Sequence, residues 1–214
     1  MSHYQTEEQQ LEIIKEFFKK YQTWLIWGMT ALVLGLMGNQ YWHQHRQTQN
    51  RQASEAFESL IQAVSSNQSV KAQAYASQLM SDYSSSVYGQ AAALYQAKLE
   101  VEQGHLDQAK KYLNKAIDHA ASFDLRDLAY VRLARIQLEQ KDVMQAKKSL
   151  ENLGVHSAYR PLVYELQGDL ARAEHRISEA RQDYQHALDL LSQQGIKNKI
   201  LEMKLTQVVH KNNA

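Results

Sequence analysis

The sequence contains no cysteine, one proline and eight glycines in 214 residues. Without thiols there is no disulfide scaffold, no Cys-ligated zinc, no iron–sulfur cluster and no Cys nucleophile. So few turn residues exclude a sandwich or barrel of many short strands. An excess of one charge is missing too, because 24 Lys+Arg against 23 Asp+Glu leave a net charge of +1. Nucleic-acid binders carry a basic excess or stripe. The longest basic runs here are pairs such as Lys19-Lys20 and Lys110-Lys111, so no nucleic-acid partner is expected. Phosphate-cradling glycine loops, a Gly-x-Ser-x-Gly elbow and a His-Glu-x-x-His pair are also absent. Neither enzyme activity, nor a metal, nor a cofactor is expected. His43 and His45 read as an interfacial pair rather than metal ligands.

What remains is rich in Ala, Gln, Leu, Lys and Glu, all strong helix formers. The expected fold class is all-α.

Residues 21–45 carry no Lys, Arg, Asp or Glu. Within them residues 24–42 are mostly apolar, and at ~1.5 Å per residue they reach roughly 29 Å, near the hydrocarbon thickness of a bilayer. Aromatic residues stand at both ends, with Trp24 and Trp27 at one and Tyr41 and Trp42 at the other, as in an interfacial belt. These four are the expected membrane anchors, and residues 21–45 the expected transmembrane helix. A cleaved signal peptide would need a short basic start and an Ala-x-Ala-like site, and a core helix would be amphipathic. Gly28, Thr30, Gly35, Gly38 and Asn39 weaken insertion, and no GxxxG face is present. Lys15, Lys19 and Lys20 before the stretch, against Arg46 and Arg51 after it, narrowly favour an N-terminus inside. In residues 1–20, Thr6-Glu-Glu-Gln9 reads as a capping box. Leu11, Ile14, Phe17 and Phe18 follow as an apolar face, either lying in the interface or simply extending the span.

Residues 46–214 read as repeated helix pairs. Three stretches superimpose on Ala109, Ala146 and Ala180, which are 37 and 34 residues apart. A period near 34 is that of tetratricopeptide repeats. Small residues at Ala97, Ala109, Ala116, Ala134, Ala146, Gly168, Ala180 and Ala187 are expected where helices pack closely. Residues 53–64 and 70–80 read as a degenerate first repeat. Ile200, Leu201, Leu205, Val208 and Val209 read as the inner face of a capping helix. In such folds the first helix of each pair lines the concave face. That geometry assigns a candidate partner face to Leu94, Lys98, Val101 and Glu102, to Val131, Arg135, Leu138 and Glu139, and to Glu165, Asp169 and Arg172. The alternative is that these side chains are only solvated or packed against the C-terminal helix.

In this order the parts resemble the YfgM family, bacterial ancillary subunits of the SecYEG translocon with a TPR-like domain. Leu11-Glu-Ile-Ile-Lys-Glu-Phe-Phe18 is similar to the family's N-terminal segment, and Tyr41-Trp42 with His45 to its membrane exit. Leu94, Ala97 and Val101 before Ala109 are similar to its first clear repeat. Leu133-Ala-Arg135 and Leu201-Glu-Met-Lys204 are similar to its later helices. The resemblance implies a single-pass bacterial inner-membrane protein with a cytoplasmic N-terminus and a periplasmic TPR-like domain. It implies a non-enzymatic adaptor in protein export. Its partners would be the SecYEG translocon, a membrane-anchored periplasmic chaperone of the peptidyl-prolyl-isomerase type, unfolded secretory clients and the lipid bilayer. Periodicity alone leaves open a membrane-tethered TPR scaffold of an envelope assembly unrelated to the translocon.

Overall fold

The computed structural model describes the backbone of residues 7–154 and 157–211, and within these the side chains of all but residues 7–26, His43, His210 and Lys211. Every regular element among the described residues is an α-helix: α1 Glu7–Ser65, α2 Ser69–Asp82, α3 Val87–Glu102, α4 Leu106–Asp118, α5 Phe123–Glu139, α6 Val143–Glu151, α7 Arg160–Ala173, α8 Ile177–Gln193 and α9 Lys199–Lys211. The chain divides into two compact units, Met1–Arg51 and Gln52–Ala214.

In the first unit, Trp27, Met29, Leu32, Leu34, Leu36 and Met37 are all exposed on α1. Among the described residues no helix is long and apolar enough to cross a membrane. The cause is composition: Gly28, Thr30, Gly35, Gly38, Asn39 and Gln40 dilute the apolar run. The stretch expected to span therefore has the helix, but not the sustained apolarity of a self-sufficient span. Thr6 of the expected capping box, and the side chains of residues 11–18 and of Trp24, lie outside the described residues.

The second unit is a stack of helix pairs. Five of its turns share one backbone device. Asn67, Gly104, Lys141, His175 and Gly195 adopt the left-handed conformation with φ between 54° and 79°. The N–H of each bonds the carbonyl three residues back (Val64, Val101, Leu138, Arg172 and Ser192). The next N–H bonds the carbonyl five residues back (Ala63, Glu100, Gln137, Ala171 and Leu191). This is the Schellman closure, which satisfies carbonyls that a helix end leaves orphaned. The first of these turns sits between α1 and α2, so the degenerate pair is built like the others. Gly104 and Gly195 are of the residue type that this conformation favours most.

The stack is held by four apolar clusters. The first joins Ala53, Leu60 and Ala63 of α1 to Ala72, Ala76 and Leu79 of α2. The second joins Ala93, Leu94 and Ala97 to Ala109, Leu113 and Ala116, and on to Ala129 and Leu133. Val131 and Ala134 pack with Ala146, Leu150 and Leu166. The last gathers Ala171, Ala180, Tyr184 and Ala187 under Leu201 and Val208 of α9. Ala97, Ala109, Ala116, Ala134, Ala146, Gly168, Ala180 and Ala187 are all buried. At Gly168 the approach is so close that an added Cβ would stand 2.5 Å from Cε1 of Tyr184. Ile200 departs from the expected capping face: it is exposed beside Met203, while Leu201 and Val208 make the buried contact.

The two buried glutamines inside the stack are partnered. Gln90 Nε2 donates to the carbonyls of Ala116 (2.9 Å) and Ser122 (3.2 Å), and its Oε1 accepts from Ser122 N (3.0 Å). That one side chain ties α3 to the α4–α5 connection. Gln96, where an apolar residue is common, donates to the Gln73 carbonyl at 3.3 Å.

Candidate functional site

The first helices of successive pairs, α3, α5 and α7, lie side by side. Between α3 and α5 an open groove of about 380 Å³ is lined by Ala97, Lys98, Val101, Glu102, Leu113, Arg132, Arg135, Ile136 and Glu139. Its floor is apolar and its rim charged. Of the expected partner face, Lys98, Val101, Glu102, Arg135 and Glu139 are brought together here. Lys98 Nζ lies 3.5 Å from Glu102 Oε1, an exposed pair one helical turn apart and worth a few tenths of a kcal/mol. Arg135 and Glu139 are exposed.

Arg132, which the sequence reading missed, forms one wall. Its Nη1 donates to the Leu94 carbonyl at 3.1 Å. Burial pushes its guanidinium below the ordinary value, with Tyr159 acting against the shift and the neighbouring Arg135 charge adding to it. The signal was legible as two arginines three apart on one helix, which share a face.

Four residues of the expected face need correction. Leu94 and Val131 are buried, with 4% and 2% of their surface exposed, and Glu165 is buried as well. The reason is common to all three. They occupy the same level of successive repeats, where the next first helix closes over the strip. Arg132 of α5 meets Leu94, Val163 and Leu166 of α7 pack in the Val131 cluster, and Lys204 of α9 meets Glu165. Asp169, one turn further on, is taken up internally: it accepts from Lys204 Nζ at 2.6 Å and from the Tyr184 hydroxyl at 2.7 Å. Arg172 is exposed and only 3.8 Å from Asp169. Leu138 is half-buried against the third cluster. The acidic pair of the third repeat is therefore the clamp on α9.

A second groove, lined by residues of α6, α7 and α8, includes Arg176 with its ion-pair partners Glu174 and Glu179. Among the described residues no group of three or more His, Asp or Glu is placed to hold a metal ion.

In the first unit, Trp27, Tyr41 and Trp42 are exposed. Arg46 lies 4.2 Å over the Trp42 ring, and Tyr41 stacks on His45 with ring centres 6.4 Å apart. Aromatic rings paired with polar neighbours suit a boundary between apolar and wet surroundings.

The comparisons with known proteins agree with this architecture. A crystal structure of a tetratricopeptide repeat protein from Parabacteroides merdae superimposes with a TM-score of 0.54 at 16% identity, over 73% of this chain and 57% of that one. The ancillary SecYEG translocon subunit of Neisseria gonorrhoeae is 26% identical over 206 residues, which is 96% of this chain and 98% of the relative. Proteins of the same name in Escherichia coli (27%, 79% of this chain and 81% of the relative) and Haemophilus influenzae (25%, 94% and 97%) are also similar. The family model described as a tetratricopeptide repeat-like domain matches residues 15–210. The chain belongs to this tetratricopeptide repeat-like family, whose curated members in several bacteria bear the name of ancillary SecYEG translocon subunit.

Proposed function

We propose that this chain is a non-enzymatic adaptor, ancillary to the SecYEG translocon. It is anchored in the bacterial inner membrane by α1 and presents the helix-pair domain in the periplasm, N-terminus in the cytoplasm. The observation that carries the reading is the near end-to-end match with relatives that share this one name. The match runs through the residues of α1 as well as through the helix pairs, and not through the repeats alone.

The diluted apolarity of α1 fits a helix that contacts protein as well as lipid. Gly28, Gly35 and Asn39 follow the i, i+7, i+11 spacing that places residues on one side of a helix. Small residues let another helix approach closely, and a polar side chain gains a partner there that lipid does not offer. The α3–α5 groove, with its apolar floor and mixed-charge rim, suits a polypeptide. It is the proposed docking point for a membrane-anchored periplasmic chaperone of the peptidyl-prolyl-isomerase type, or for secretory clients. Tethering raises the effective concentration of the groove near other membrane proteins, so a weak contact suffices.

The experiment is affinity purification of the tagged full chain from membranes in a mild detergent. SecYEG subunits are expected in the eluate, together with a periplasmic isomerase-type chaperone. Recovery of another envelope assembly without SecYEG would overturn the reading.

A further inference from the structure

We infer that the α3–α5 groove receives a polypeptide segment presenting a carboxylate side chain between apolar side chains, the carboxylate docking on Arg132 and Arg135. This deepens the proposed function and rests on its reading of the groove as a polypeptide surface.

The charge inventory of the groove is Lys98, Arg132 and Arg135 against Glu102 and Glu139. Lys98 and Glu102 already face each other on α3. Arg132 is half-buried, and its one hydrogen bond to the protein goes to a neutral carbonyl, that of Leu94. The charge that acts on it from the same helix is a second cation, Arg135. A guanidinium removed from water without an anion is poorly compensated, and a carboxylate is its best-matched partner in a planar, bidentate geometry.

The same solenoid shows the completed arrangement elsewhere. Where α9 lies on α7, Lys204 is held between two carboxylates, at 2.7 Å from Glu165 and 2.6 Å from Asp169. Counting back through the repeats, those two positions correspond to Val131 and Arg135, and then to Leu94 and Lys98. The carboxylates that satisfy the cation in the last pair are thus replaced by apolar and basic residues in the earlier ones. There the chain offers Arg132 no carboxylate at either of those two positions.

The surroundings fix the kind of anion. Ala97, Val101, Leu113 and Ile136 form an apolar floor beside the arginines, which calls for apolar side chains flanking the charge. Glu102 and Glu139 on the rim repel a densely charged polyanion such as nucleic acid or an anionic lipid surface, while tolerating a single carboxylate. A peptide with one acidic residue per turn or per strand repeat meets both demands.

The test uses the full chain in detergent micelles and fluorescence anisotropy of short labelled peptides. One alternates Leu and Glu, a second carries Gln for each Glu, and a third carries Lys. The Glu peptide is expected to bind about tenfold tighter than the Gln peptide, the size of one good charge-assisted contact. Arg135→Gln, at an exposed position, should remove that preference while leaving thermal unfolding unchanged, and Arg132→Gln should act in the same direction. Glu139→Gln should tighten the Glu peptide. Equal affinity for the Glu and Gln peptides, preference for the Lys peptide, a preference that survives Arg135→Gln and Arg132→Gln together, or no binding of any peptide would each overturn the inference. Co-purification with SecYEG is read separately. If it persists while the Glu preference is absent, the groove assignment alone falls.

Discussion

Replacing Gly168 by alanine tests the packing of the last helix pair at its tightest point. The added Cβ would stand 2.5 and 2.6 Å from Cε1 and Cδ1 of Tyr184, and 3.1 Å from Cζ. Ordinary carbon contacts lie near 3.5–4.0 Å, so roughly 1 Å has to be found. The ring cannot easily supply it. Tyr184 is fully buried among Ala171, Ala180, Ala187, Leu201 and Val208. Its hydroxyl is pinned to Asp169 at 2.7 Å. The helices α7 and α8 must therefore part, and overpacking of this kind costs ~1–3 kcal/mol. Alanine returns up to about 1 kcal/mol through its better helix propensity. The expected net loss is ~1–2 kcal/mol, a fall in Tm of about 2–8 °C for a domain of this size. Circular dichroism melting of the full chain in detergent reads it directly. Tyr184→Leu in the Gly168→Ala background should recover part of the loss that the two single changes predict, because the clash is removed with the ring. A Tm equal to or above that of the parent for Gly168→Ala would refute the packing argument.

Other predictions follow from the turns and the clamp. Lys141→Gly and His175→Gly relieve left-handed residues at φ 63° and 60°; each should stabilise the chain by up to about 1 kcal/mol in denaturant melts, and Gly104→Ala should do the reverse. Lys204→Ala leaves Glu165 and Asp169, both largely buried, without their shared cation; a loss of about 2–4 kcal/mol is expected, larger than for any exposed ion pair in the chain. The Tyr184 hydroxyl is held above its ordinary value, first by burial and then by its hydrogen bond to Asp169. A group raised in the folded state contributes stability that is intact below its unfolded value and lost as pH rises beyond it. Stability should therefore be insensitive to this group up to about pH 10 and decline above it, a component that Tyr184→Phe removes in alkaline melts.

The helix pairs were readable because close packing leaves a mark in the sequence. Ala109, Ala146 and Ala180 recur in register because each sits where two helices leave no room for a larger side chain, and each is completely buried. The turns were readable as polar breaks, but their shared backbone was not. The left-handed residue is glycine at Gly104 and Gly195, while Lys141 and His175 disguise it. The partner face was half readable. Helical spacing puts Leu94 on the same side of α3 as Lys98. Whether that side is open depends on how far along the helix the neighbour crosses, and this is a property of the stack rather than of any one helix. The same limit hid Lys204, whose carboxylate partners lie 39 and 35 residues away. Along α1 the reading fixed where the apolar stretch lies, and the glycines and amides within it decide how apolar that stretch is in sum.

The central claim is that α1 meets the translocon and not lipid alone. Site-specific photo-crosslinking in intact membranes tests it most directly, with the photoreactive residue placed in turn at Leu32, beside Gly28 and Gly35 on the helix, and at Met37, on the opposite side. The account predicts a crosslink from Leu32 to a SecYEG subunit and a weaker one, or none, from Met37. Failure of both positions to crosslink any SecYEG subunit, in membranes where the chain is present and folded, would contradict it.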